Sequence, residues 1–358
     1  MLTSLPDPAP GTVRRALSLE ISPDPDWSAG LRVTALARDL LAGAGDAAGT
    51  SDGAPVPGAF VPGGFVVLRA ARISVTIDTA SRVAGIESDL PAAVTDPLIG
   101  AAAVSGFRAR LAALDALDPS SLESAVLDEL PTIRLISGYA RMIELIGLTG
   151  ADGVAEAAEA AEAAGGPGMT ALRSLRGRRP PMVGICAGWA PGATADTRVR
   201  AGVPLMKGTP PAPAMASMTP YFHAEPDPRP RSMRRRRILD VTARGSGYEV
   251  FEYFRDSHFD PGLREGALHE YEVHAHVAAD EGYTLERIVV VPHALPFSEC
   301  PLAAPNAADL AGVQLSEIAG TVKERLAGTR SCTHLNDTLR FLRYVPALTM
   351  PNLNAEGR

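Results

Sequence analysis

The chain has 358 residues, 46% of them apolar, and a formal net charge of −7. That length suits about two domains of roughly 100–200 residues each, and the acidic balance argues against general nucleic-acid binding. The sequence has no apolar run of about 18 residues, no basic start with an apolar stretch as in a signal peptide, and cysteines too sparse for a disulfide framework, so the expectation is a cytoplasmic protein that neither spans nor binds a membrane.

Residues 1–12 read as a flexible N-terminus. From Val13 onward the outline of one unit is written twice. The first copy, 13–190, opens with Val13-Arg14-Arg15-Ala16-Leu17-Ser18-Leu19. The second, 232–346, opens with Arg235-Arg236-Arg237-Ile238-Leu239-Asp240-Val241. Basic residues followed by apolar alternation give the period of an edge strand, and alternate arginines of the run Arg234–Arg237 are expected to face solvent. Val33–Asp39 and Val250–Asp256 follow, both ending in Arg-Asp. Ile73–Asp78 and Val273–Asp280 are alternating strands, and Arg82–Ile86 and Arg287–Val291 are the next pair. Leu90-Pro91 then matches Leu295-Pro296, and Asp96-Pro97 matches Cys300-Pro301. Each copy closes with helical spacing, the last helix running from Arg134 to Leu145 or from Cys332 to Phe341.

Strands followed by helices make an α+β pattern: two tandem copies of a small antiparallel sheet with helices on one face. Segment 42–64, rich in Gly, Ala and Pro, reads as a loop inserted into the first copy. Residues 155–165 read as a helix on Ala and Glu propensity. Met182–Cys186 reads as a short buried strand, 205–231 as a Pro-rich linker, and 351–358 as a flexible tail.

The copies differ in chemistry. His269, Cys300, Cys332 and His334 belong to the second, where the first has Val67, Asp96, Ile136 and Gly138 near those places. Imidazole and thiolate suit zinc, with iron less well matched, and three or four such ligands close a site. Cys332 would open a helix, where the N-terminus favours thiolate; His334 is either a fourth ligand or a catalytic proton carrier. Without metal, Cys332 could be a nucleophile with a histidine as base. Buried core cysteines are the alternative for the same residues. Arg255 and His293 are candidate substrate-binding groups, Arg255 through its guanidinium fork; a structural Arg255–Asp256 ion pair is the alternative. His274 and His276 share a strand face, as a ligand pair or a solvated one.

The second copy, about 235–345, resembles an uncharacterised bacterial family known as a domain of unknown function. The likeness rests on Arg235-Arg236-Arg237, Arg255-Asp256, His269, Cys300-Pro301 and Cys332-Thr333-His334-Leu335. Pro180–Cys186 looks like the tail that often follows that domain. More distantly, the order of strands, ligands and helices is similar to U-type iron–sulfur scaffold and zinc-binding sulfur-acceptor proteins. That resemblance implies Cys300 as the second cysteine and Cys332 as the third, with His269 where the first belongs. The expectations are therefore a metal-dependent enzyme acting on a small organic acid, ester or thioester, or a non-enzymatic metal- or sulfur-handling protein, or a metal-free cysteine enzyme. The expected partners are a small-molecule substrate and, within the chain, the other copy; a homodimer stays open.

Overall fold

Period-two patterning on both sides of the chain's middle builds a single sheet. The computed structural model describes residues 5–24, 30–43, 60–61, 64–138, 140, 182–201, 205, 212, 225 and 227–349. β1 (Val13–Pro23), β2 (Gly30–Ala42), β3 (Phe60–Val61), β4 (Phe65–Asp78) and β5 (Val83–Glu87) come from the N-terminal half. β6 (Met233–Arg244), β7 (Gly247–Phe259), β8 (Glu265–Ala278) and β9 (Leu285–Pro292) come from the C-terminal half. The order is β3-β4-β2-β1-β6-β7-β8-β9, with β5 also on β4.

The expectation of two separate small sheets is therefore corrected. β1 pairs antiparallel with β6, from Val13 opposite Val241 to Ile21 opposite Met233. An open edge strand presents a row of unpaired backbone donors and acceptors; here the two halves satisfy each other's edge, and the α+β sheet is continuous.

Helices pack with one face of this sheet. They are α1 (Phe107–Ala112) and α2 (Leu122–Leu127), α3 (130–138), and, from the C-terminal half, α5 (Ile318–Arg325) and α6 (Thr333–Phe341). A further helix, α4 (Thr194–Ala201), is tied to the C-terminal half through Glu299, which accepts from the Thr194 amide at 2.9 Å. Ser121 starts α2 by accepting from the Ser124 amide at 3.0 Å, satisfying one donor of the first turn. One hydrophobic core joins Leu17, Leu19 and Val33 to Ile133, and Leu239 and Val273 to Leu335 and Leu339.

The two halves repeat several local features. β4 and β8 each carry a bulge, with Leu68 and Leu268 as the extra residues, opposite the steps Asp39/Leu40 of β2 and Asp256/Ser257 of β7. The register places Arg69, not Val67, opposite Asp39, as His269 lies opposite Asp256. Gly100 and Gly312 both adopt left-handed backbone, φ +76° and +83°, which glycine alone takes without strain. Each turns the chain back to bond the first residue of a strand, Gly100 N to Val83 O at 2.8 Å and Gly312 N to Leu285 O at 2.7 Å.

Other expectations change. The helix expected from Arg134 begins earlier, at 130, and its part beyond 140 lies outside the described residues. So do the expected helix 155–165, most of the loop 42–64, most of the linker 205–231, and the tail 351–358. Met182–Cys186 is not a strand: Met182 to Gly184 form a turn, because Gly184 at φ +96° interrupts extension. Among the described residues no helix is long and apolar enough to cross a membrane.

Arg234, Arg235, Arg236 and Arg237 are all buried, at 0–4% exposure, which corrects the solvent-facing expectation. β6 is paired on both edges and its side chains are buried on both faces, so every guanidinium needs a carboxylate. Arg235 pairs with Asp256, and Arg237 with Glu252 at 2.7 Å and Glu129 at 3.0 Å. Arg234 pairs with Glu20, and Arg236 with Glu225 and Glu265. β1 contributes Arg14–Asp240 and Arg15–Asp39.

Removing one member of a buried pair strands the other's charge, a loss of about 3–5 kcal/mol. Arg237→Met should destabilise the protein by that order in denaturant titration, and adding Glu252→Leu should restore part of it; equal stability of Arg237→Met and wild type would contradict the buried network. His258, 2% exposed, has its pKa pushed down by burial to about 4. A native pKa below the unfolded value of about 6.5 means that the native state binds fewer protons. Stability is therefore present above about pH 6.5 and lost as pH falls toward 4, by about 3 kcal/mol at most. The unfolding midpoint of His258→Leu should fall less than that of wild type across this window.

Candidate metal centre

The site begins opposite the β8 bulge at Leu268. Asp256 is fully buried and opposite His269 on β8. Arg235 donates a two-pronged fork to it, Nε to Oδ1 at 2.8 Å and Nη2 to Oδ2 at 3.0 Å, the bidentate geometry that guanidinium favours. Asp256 Oδ2 is also 3.5 Å from His269 Nδ1. The His269 ring stacks on that of His334, with centroids 3.5 Å apart and 18° between planes. His334 sits in the first turn of α6, for which Cys332 is the N-cap residue. Ligand atoms of Asp256, His269 and His334 all lie within 4.8 Å of one another, and all three residues are buried.

Thiols border this trio. Cys332 Sγ is 3.9 Å from His334 Nδ1, and Tyr271, from β8, is a neighbour of the same thiol with its hydroxyl buried outside hydrogen-bond geometry. A small cavity of about 30 Å³ is lined by His269, His334, Cys332, Cys300, Cys186 and Trp189, with other residues. All three cysteines of the chain meet there. The turn Ala187–Trp189 brings Cys186 in, pinned by the Ala187 amide donating to the Ser331 carbonyl at 2.7 Å. Gly188 permits that approach, since a Cβ there would stand 2.9 Å from Cys300 Sγ and from the Phe297 ring.

The electrostatics keep the thiols and imidazoles neutral and Asp256 anionic. Burial raises the Cys332 thiol, opposed by Tyr271 and by the amides of the first helical turn. Burial and the neighbouring Cys332 raise Cys300, and burial pushes Cys186 up to about 11. Burial, then His269, drives His334 well down; in His269 burial outweighs the pull of Asp256. Asp256 itself is held below the usual carboxylate range, with Arg235 and His269 overcoming the cost of burial. His334 Nε2 is buried without a hydrogen bond, a loss of roughly 1–3 kcal/mol. Neutral imidazole is the form that binds metal, and a bound ion drives the proton off a thiol.

The structure thus brings His269, Cys300, Cys332 and His334 to one cavity. Arg255 does not join them: Asp256 faces the site, so its neighbour faces the other side of the sheet, where Arg255 pairs with Glu270 at 2.6 Å. The alternative Arg255–Asp256 ion pair is replaced by Arg255–Glu270 and Arg235–Asp256. His293 lies beyond β9, 3.4 Å from Glu272, and does not line the cavity. His274 is exposed beside Phe251, and His276 bonds Glu286 at 2.7 Å. Sequence reasoning missed Asp256, Tyr271 and Cys186 as members of the site. Strand alternation separating Asp256 from Arg255 was the available signal.

Residues 233–347 match a family described as a protein of unknown function, DUF2889. No curated protein matches the chain, and no solved structure matches it. The matched segment spans β6 to β9 and α6, and so contains Asp256, His269, Cys300, Cys332 and His334 but not Cys186.

Proposed function

We propose that this pocket holds a metal ion, zinc ahead of iron, and that the protein is a metal-dependent enzyme acting on a small organic acid, ester or thioester. The carrying observation is the convergence of two histidines and all three thiols on one small cavity, with the Asp256 carboxylate within 4.8 Å of both histidines' ligand atoms. Zinc bonds of about 2.3 Å to sulfur and 2.0 Å to nitrogen, at a tetrahedral angle, put those donors about 3.5 Å apart. The 3.9 Å between Cys332 Sγ and His334 Nδ1 is close to that. Asp256 is best suited to orient His269, because its oxygens already take the Arg235 fork; carboxylate behind a ligating histidine is a common arrangement that raises ligand basicity. His269 and His334 would then hold the ion, as two of the three residues whose ligand atoms lie within 4.8 Å of one another, with Cys332 beside His334 as the third ligand; Cys300 lines the same cavity outside that group. Such an ion, when bound, polarises a carbonyl or lowers the pKa of its water to about 7.

A second reading has its own support. A cavity of about 30 Å³ has room for about one water, which favours a closed site in a non-enzymatic metal- or sulfur-handling protein. The metal-free cysteine nucleophile is least favoured, because burial keeps Cys332 a thiol. We further read the repeated bulges, the paired Gly100 and Gly312 turns, and the β1–β6 seam as marks of a duplicated unit whose first copy lacks the site.

Elemental mass spectrometry of purified protein should find about one zinc per chain, lost in Cys332→Ala and His269→Ala. Asp256→Asn should weaken metal affinity by about 10–100-fold. Absence of metal from wild-type protein that has been offered zinc would overturn the reading. Chelator-sensitive hydrolysis of short acyl thioesters or esters is the expected activity; stoichiometric zinc without turnover would leave the metal-handling reading in its place.

A further inference from the structure

A second and much larger cavity lies between helices of the two halves, a cleft of about 1150 Å³. It exceeds the roughly 300–1,000 Å³ of ordinary small-molecule sites. Its walls combine apolar surface, including Leu111, Leu315 and Ala319, with three arginines, Arg108, Arg340 and Arg343. Two of the arginines are committed. Arg108 donates to Asp128 at 3.0 Å and also pairs with Asp337. Arg343 reaches Asp128 at 3.2 Å and donates to the Tyr344 hydroxyl at 2.6 Å.

Arg340 differs. Among the described residues it makes no hydrogen bond or ion pair through its side chain, and its Nε is buried without an acceptor. The nearby carboxylates are already shared: Asp337 also serves Arg235 and Arg237. Asp115 and Glu281 line the cleft as well, and neither pairs with Arg340. A guanidinium keeps its charge at any accessible pH, and the Nε of Arg340 is cut off from solvent and acceptors alike, which is costly. Three arginines and three acids, Asp115, Asp128 and Glu281, line the cleft, and Arg340 is the arginine among them that no acid takes up.

We propose that this cleft binds a small organic anion with an apolar body, its carboxylate or phosphate accepting hydrogen bonds from Arg340, with Arg108 and Arg343 adding charge. The site is independent of the metal pocket. Arg340 supplies the fork that carboxylate and phosphate both fit, and the apolar walls accept the chain behind the head group.

Isothermal titration with sodium octanoate and with octyl phosphate tests this. Saturable binding of at least one is expected, weakened by added salt; the tighter of the two identifies the head group. Arg340→Met should weaken it by about 10–100-fold. Ala319→Trp, which fills the cleft and leaves the charges in place, should abolish it. Both variants should keep the wild-type circular dichroism and metal content, which separates loss of this site from loss of the fold or the metal centre. No saturable binding of either probe to wild type, or wild-type binding in both variants, would overturn the proposal.

Discussion

The structure depends on keeping charge neutralised at the centre of the sheet. β6 places four consecutive arginines there, and alternation sends them to opposite faces. Arg235 and Arg237 meet Asp256, Glu252, Glu129 and Asp337 on the helical face. Arg234 and Arg236 meet Glu20, Glu225 and Glu265 on the other. Such pairs add little net stability over apolar residues of the same volume, but a partner left unpaired is heavily penalised. Because the acids come from distant parts of the chain, misplacing any one element leaves a buried charge alone. Phe254 and Phe341 complete the packing, with Arg237 at 4.8 and 4.5 Å from their ring centres. The ladder therefore specifies one arrangement of the two halves and of the helices above them.

The candidate metal site is attached to that ladder at two points. Arg235 holds Asp256, Asp256 faces His269, and His269 stacks on His334. Three residues after His334, Asp337 returns from the same helix to Arg235 and Arg237. α6 is thereby fixed against β6 by its carboxylate while its first turn presents Cys332 and His334. A ligand set on a strand pair and a clamped helix is held with the precision that metal coordination needs. Asp337 is also bonded by Arg108, so the clamp extends to the edge of the large cleft.

Local periodicity made much of this legible. The alternation of 33–39, 73–78 and 250–256 sets out strands of the sheet, and the four side chains His269, Cys300, Cys332 and His334 do meet. Asp256 was read with its neighbour Arg255, though alternation places the two on opposite faces. Cys186 was lost in a segment whose glycine turn mimics a short apolar strand. The arginine run was the hardest feature. Charge runs are ordinarily solvated, whereas this one is buried in a strand whose neighbour β1 lies more than 200 positions away in sequence. Non-local pairing of that kind leaves no periodic trace in either strand, which is also why one sheet was mistaken for two.

The two halves show why a site of this kind suits one end of the sheet and not the other. Opposite its bulge Asp39 meets two permanent cations, Arg15 at 2.8 Å and Arg69 at 2.8 Å. One carboxylate between two guanidiniums leaves a net positive charge, and a metal ion brought there would be repelled. At the corresponding bulge Asp256 meets one guanidinium, Arg235, and an imidazole that burial keeps neutral. The cluster is then close to neutral and carries nitrogen lone pairs, with thiols able to shed protons to an incoming cation. A guanidinium on one strand against an imidazole separates the bulge that carries only fixed charge from the one where buried Asp256, His269 and His334 could hold an ion.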